Sequence, residues 1–175
     1  MPSVTPDAPS ALTALPPGAL LAIDHVGIAV TDLDAAVSMY ETAFGMTCVH
    51  VEVNEEQGVR EAMLEVGGSG SYLQLLAPLT PDSPIGRFLE RSGPGVQQVA
   101  YRVRSVDEVS AHLRSQGMRL LYDEAKVGTA GSRVNFVHPG SAGGVLVELV
   151  EPGPEGLAAA QRDTSEVRVT SPREW

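Results

Sequence analysis

The sequence predicts an α+β fold in which two βαβββ modules form a curved mixed sheet around a central cleft. Three observations carry this. Two stretches read as copies of one another, each copy runs strand, helix, strand, strand, strand, and each offers a polar residue at the same two places. The first copy opens on Asp24-His25-Val26-Gly27-Ile28-Ala29-Val30 and closes on Tyr72-Leu73-Gln74-Leu75-Leu76; the second opens on Gln97-Gln98-Val99-Ala100-Tyr101-Arg102-Val103 and closes on Leu146-Val147-Glu148-Leu149-Val150. A repeat of this length occurring twice points to fused half-domains rather than a solenoid.

In the first copy, alternation over His25 to Val30 predicts a strand, and Thr31 or Asp32 then starts a helix that stops at Gly45. Leu33, Ala36, Val37, Tyr40 and Phe44 share one helical face. Strands are expected over Met46–Val53, Arg60–Val66 and Ser71–Ala77, the last two separated by the turn Gly67-Gly68-Ser69-Gly70. In the second copy Ser105 and Glu108 form a capping box, Val106, Val109 and Leu113 make the apolar stripe, and Gly117 is the stop. Strands follow near Arg119–Tyr122, Arg133–His138 and Val145–Val150. Each half is expected to make a four-stranded antiparallel sheet with a helix on one face. The domain should span 21–152, with modules at about 22–78 and 95–151 and a connector helix over 83–93 opened by Ser83-Pro84. Residues 1–20, rich in Pro, Ala, Ser and Thr, and residues 153–175 are expected to be mobile tails.

Composition narrows the function. Hydrophobic residues make up 43% and charged residues 19%, as in a globular protein, and no apolar run approaches a membrane span. Without a signal-peptide pattern, a cytoplasmic location is expected. The single Cys48 permits no internal disulfide and is most simply a small core residue. A net charge of −10 argues against non-specific binding to nucleic acid or anionic membrane, while leaving room for a small anionic ligand at local positive charge.

If the copies pack about a pseudo-twofold axis, His25, Gln74, Gln98 and Glu148 converge on one point, where they could hold a divalent metal. Gln74 and Glu148 interrupt otherwise apolar strands, and a buried polar group needs a partner. Taken alone, His25 fits a hydrogen-bonded core histidine and Glu148 a salt bridge to an arginine, but core residues have no reason to sit at symmetry-related places. Glu61 shares a strand face with Met63 and Glu65. It is either a half-solvated surface carboxylate or, with Glu148, one of two carboxylates that reach one cleft from different halves. Such a pair suits removal of a proton from one face of a carbon and its return to the other, and a metal beside it would stabilise the enolate.

These residues resemble the vicinal oxygen chelate superfamily, also described as glyoxalase/bleomycin resistance/dioxygenase proteins, and within it the methylmalonyl-CoA epimerases. The resemblance runs from about Ala22 to Glu151. It rests on Asp24 to Ala29, Glu52 to Leu64, Ser83-Pro84-Ile85, Gly128 with Gly131, and Phe136-Val137-His138-Pro139 followed by Gly144 to Leu149. It implies an isomerase that interconverts C2 epimers of methylmalonyl-CoA or a related 2-substituted malonyl-CoA, with His25, Gln74 and Glu148 as ligands of a divalent metal such as cobalt, Glu61 and Glu148 as paired acid and base, and a homodimer. Where most members carry His-His, this chain has Gln97-Gln98; amide oxygen is a harder, weaker donor than imidazole and tilts the fourth ligand position toward manganese or magnesium. Gly140 stands where a lysine is common, which leaves recognition of an anionic substrate to others such as Lys126 or Arg133, unless these two are simply solvated loop or strand-end charges. Two alternatives follow from the same changes: another isomerase or cyclase of this fold, or a metal-free small-molecule-binding protein. An aromatic content of only 5% argues against a cleft built for flat drugs.

Overall fold

A computed structural model describes residues 12–153. One eight-stranded sheet carries the molecule, ordered β2-β3-β4-β1-β5-β8-β7-β6. The strands are β1 (Leu20–Ala29), β2 (Thr47–Asn54), β3 (Val59–Glu65), β4 (Tyr72–Pro78), β5 (Gly95–Val103), β6 (Lys126–Val127), β7 (Arg133–Val137) and β8 (Leu146–Glu151). The helices are α1 (Leu33–Phe44), α2 (Pro84–Ser92) and α3 (Val106–Ser115). The first four strands form one module and the last four the other, and the two join where β1 runs antiparallel to β5.

Each module opens and closes on neighbouring strands. β1 pairs with β4, and β5 with β8, in parallel, so the sheet is mixed and the expected all-antiparallel halves are corrected. A parallel pair needs a crossover connection; in each module the helix and the two outer strands provide it. The expected strand at Arg119–Tyr122 is reduced to a single bridge between Leu120 and Val137, and the sheet edge is taken by Lys126–Val127 instead.

The helices start and stop where their residues direct. Asp32 caps α1 by accepting from the Ala35 amide at 3.0 Å, and Gly45 ends it in the left-handed conformation (φ 67°). Leu33, Ala36, Val37 and Tyr40 pack on Ala62, Leu64 and Leu75 of the sheet, whereas Phe44, expected on the same face, is 65% exposed at the last turn. Ser105 caps α3, whose Val106 and Val109 meet Val103, Val137 and Leu149. Helix α2, capped by Ser83, has no counterpart in the second module: it brings Ile85 against Ala29, Val59 and Leu76 and closes one end of the concave face.

Part of the expected N-terminal tail is held. Leu15 and Ala19 pack against the α3 cluster, the Thr13 amide donates to Gln116 Oε1 at 2.9 Å, and the Thr13 carbonyl lies 3.1 Å from His112 Nε2. Residues 1–11 and most of the expected C-terminal tail lie outside the described residues. No helix among the described residues is long and apolar enough to cross a membrane.

Candidate active site

The four central strands each deliver one of the expected residues to the concave face. Two register rows explain how. Gln74 of β4 and Gln98 of β5 flank Gly27 of β1, while His25 of β1 and Glu148 of β8 flank Ala100 of β5. Gly27 and Ala100 occupy matching places in the repeat, and their small size leaves room for the flanking side chains to meet. A Cβ at Gly27 would lie 2.7 Å from Gln98 Cγ and 3.2 Å from Leu76 Cδ1.

The four side chains are mutually bonded. His25 Nε2 lies 3.1 Å from Glu148 Oε2, and Gln98 Nε2 donates to Glu148 Oε2 at 2.5 Å and to Gln74 Oε1 at 3.2 Å, with His25 Nε2 3.4 Å away. None is more than 6% exposed. Among the described residues there is no group of three or more His, Cys, Asp or Glu side chains arranged to hold a metal, because two of the four corners are amides.

Glu61 joins this cluster from β3. Its Oε2 accepts from Gln74 Nε2 at 2.9 Å, its Oε1 accepts from the Thr129 hydroxyl at 2.7 Å, and Gln74 also donates to Thr129 at 3.1 Å. At 2% exposure Glu61 is no surface carboxylate. Burial pushes its carboxyl up to about 7 against the Thr129 bond, with Glu52 and Glu148 adding to the rise. Glu52 lies opposite Glu61 across β2 and β3, and its Oε2 is 2.5 Å from His50 Nε2.

Sequence reading missed Asp24 and Thr129. Residues 24 and 25 adjoin on a strand, so alternation sends them to opposite faces. A register shift between Ile23 and His25 removes that constraint, and Asp24 Oδ1 reaches His25 Nδ1 at 3.0 Å while Oδ2 accepts from Arg102 Nε at 2.7 Å. Burial disfavours charge on His25, but Asp24 and Glu148 outweigh it and raise the imidazole to about 9. Asp24 is held below the usual carboxylate range, its burial outweighed by the same histidine and Arg102. Thr129 sits in a short turn beside Gly128, where a Cβ would meet Val134 Cγ1 at 2.6 Å; the Gly128 and Gly131 motif was the available signal for it.

Gln74, Gln98, Glu148 and Thr129 of the cluster line a cleft of about 190 Å³ whose walls include Leu76, Ile85, Tyr122, Phe136 and Leu146, with His25 and Glu61 behind them. No Lys or Arg is among the described residues that line it. Arg133, one of the two cations expected to meet an anionic substrate, is held by Asp107 at 2.8 Å and Glu151 at 3.4 Å, and Lys126 lies 3.7 Å from Glu56 and over the Tyr122 ring.

Comparison with known proteins places this architecture. Residues 24–136 match the family model described as glyoxalase/bleomycin resistance protein/dioxygenase superfamily. The chain belongs to that superfamily. Within it the chain is 38% identical over 128 residues to the mitochondrial methylmalonyl-CoA epimerase of Mus musculus, covering 73% of this chain and 71% of that one. The crystal structure of methylmalonyl-CoA epimerase from Mycobacterium tuberculosis superposes with a TM-score of 0.78 at 52% identity, covering 85% of this chain and 99% of the other. A methylmalonyl-CoA epimerase in complex with methylmalonyl-CoA and NH4+ superposes at 0.74 with 48% identity, over 77% and 96% of the two chains. The mixed, curved sheet with a polar centre is thus the superfamily's fold.

Proposed function

We propose that this chain is a methylmalonyl-CoA epimerase, an isomerase that inverts C2 of methylmalonyl-CoA or a related 2-substituted malonyl-CoA. The observation that carries the reading is that two buried carboxylates from different modules belong to one hydrogen-bonded cluster beside the cleft. Glu61 and Glu148 are linked through Gln74 and Gln98 by bonds of 2.9, 3.2 and 2.5 Å. The methylmalonyl-CoA epimerases among its relatives support the substrate.

Inversion needs a base on one side of C2 and an acid on the other. Glu61 and Glu148 fill these roles, each acting as base toward one epimer and as acid toward the other. A carboxyl near 7 can both accept and return a proton at neutral pH. Gln74 and Thr129 occupy both Glu61 oxygens and fix where the proton is exchanged. The apolar walls keep bulk water from the planar enolate.

The donor set fits a divalent cation. His25, Gln74, Gln98 and Glu148 offer one imidazole nitrogen, two amide oxygens and a carboxylate, and Asp24 on Nδ1 is the outer partner that orients a ligating histidine. The two ends of a carboxamide exchange by rotation, so Gln98 can present oxygen to a cation as readily as it presents Nε2 to Glu148. Cobalt suits the histidine, and the amide oxygens also accommodate manganese or magnesium. Such an ion supplies positive charge that stabilises the developing negative charge on the thioester oxygen and so acidifies C2. We assign the enzyme to the cytoplasm as a homodimer; Val49, Val51 and Val53, each about half exposed on edge strand β2, support burial against a second copy.

Deuterium uptake at C2 of methylmalonyl-CoA, read by mass spectrometry, tests the activity. Cation-reconstituted protein should exchange and invert C2 of both epimers, cation-stripped protein should do neither, and Glu61→Gln should lose inversion while exchanging only the epimer that Glu148 deprotonates. Inversion, or exchange of both epimers, that persists in Glu61→Gln, or no exchange with cobalt, manganese or magnesium, would overturn the assignment.

A further inference from the structure

We propose that Gln97 holds the arm of an acyl thioester, its side-chain Oε1 accepting a hydrogen bond from the secondary amide N–H nearest the sulfur. This rests on the acyl-CoA reading above and extends it to a residue outside the acid–base and cation-holding sets.

The backbone makes the first part of the case. Gly27 pairs with Gln98, but the next residue of β1, Ile28, pairs with Val96, so Gln97 is an extra residue on β5 without an opposite number. Bulges of this kind re-aim side chains beside active sites. Gln97 accordingly lines the same cleft as Gln74, Gln98 and Glu148, next to the wall formed by Pro84 and Ile85 of α2.

The repeat makes the second part. Gln97 stands to Gln98 as Asp24 stands to His25, and Asp24 also sits at a register shift in its strand. Asp24 spends both oxygens inside the protein, on His25 and Arg102. Gln97 does not follow it: its Oε1 is the one buried side-chain polar atom without a hydrogen-bond partner among the described residues. A buried acceptor left unpaired destabilises the fold, so a ligand donor that this carboxamide turns to meet in the cleft it lines gains correspondingly.

Chemistry then selects the donor. The carboxylate and thioester of a malonyl thioester offer acceptors alone, and Gln74 and Gln98 are already bonded to Glu61, Glu148 and each other. The arm beyond the sulfur carries secondary amides, and an amide N–H is the complement of a carboxamide oxygen in a site walled by apolar side chains.

Titration calorimetry with two probes tests this, using the full chain loaded with cation. One is propionyl-CoA, the other an analogue in which the amide nearest the sulfur is replaced by an ester and so has no N–H. For wild type the ester analogue should bind about tenfold more weakly, the usual worth of one neutral hydrogen bond. Gln97→Met should weaken propionyl-CoA about tenfold and leave the ester analogue unchanged, with cation content and melting temperature at or above wild type. Gln97→Glu, which keeps an acceptor, should retain the preference for the amide. Equal losses on both probes, or no loss on either, would overturn the contact. Wild type that binds propionyl-CoA with the amide preference yet exchanges no C2 proton overturns the proposed activity and leaves the contact standing; wild type that binds neither probe overturns both.

Discussion

Gly27 is the position where one methyl group should matter most. Its backbone is not in the left-handed region, so alanine imposes no strain of its own, but the added Cβ would sit 2.7 Å from Gln98 Cγ, where ordinary contact begins at 3.4 Å. Gln98 must therefore retreat by about 0.7 Å, enough to carry its 3.2 Å bond to Gln74 past the hydrogen-bond limit and to misalign its 2.5 Å bond to Glu148. A bond to a charged group is worth about 1.5–3 kcal/mol, and Gly→Ala returns about 0.5 kcal/mol by restricting the unfolded chain. The net loss is about 1.5 kcal/mol, or about 5 °C in Tm for a domain of this size. Gly95→Ala is the control, since a Cβ there meets nothing within 4 Å and the backbone is again ordinary. Scanning calorimetry of both variants, with cobalt titrated into each, should show Gly27→Ala melting lower and binding the ion at least tenfold more weakly, and Gly95→Ala unchanged or slightly more stable. Wild-type melting and ion affinity in Gly27→Ala would refute the claim that this glycine makes room for Gln98.

Other substitutions probe the remaining parts of the site. Gln98→His should raise cobalt affinity by calorimetry, because imidazole is the softer donor; an unchanged affinity would mean that residue 98 is not a ligand. Asp24→Asn should lower cation affinity about 10–100-fold with His25 intact and shift urea unfolding to lower concentration, since Arg102 loses its charged partner; neither change appearing would remove Asp24 from the site. Arg60→Ala, which breaks an exposed pair with Asp34 between β3 and α1, should leave the melting temperature unchanged, and a clear drop would show that this pair anchors the helix.

The four corners were legible because both repeat and alternation survive in the residues. His25 and Gln98, and Gln74 and Glu148, fall at matching places, and the paired strands keep those places on one face. Glu61 was legible from the same alternation. What escaped was whatever departs from regular pairing. Asp24 and Gln97 lie at register shifts that a period of two cannot register, and Thr129 comes in on a turn whose direction depends on Gly128. The parallel partners β4 and β8 were missed because alternation says which face a residue takes but not which strand lies beside it. Phe44 fits the helical stripe of α1 yet overshoots the sheet, and residues 12–19 look structureless by composition although α3 holds them through two backbone contacts at Thr13.

The seam between β1 and β5 has an evolutionary consequence. A chain of half this length would reach four corners only by pairing with a copy of itself, and its corners would then be identical two by two. Joining the halves ends that constraint. One side of the seam can keep an imidazole where the other has an amide, and one an amide where the other has a carboxylate. The division of labour between Glu148 and Gln74, and between His25 and Gln98, is a freedom that only the fused chain has.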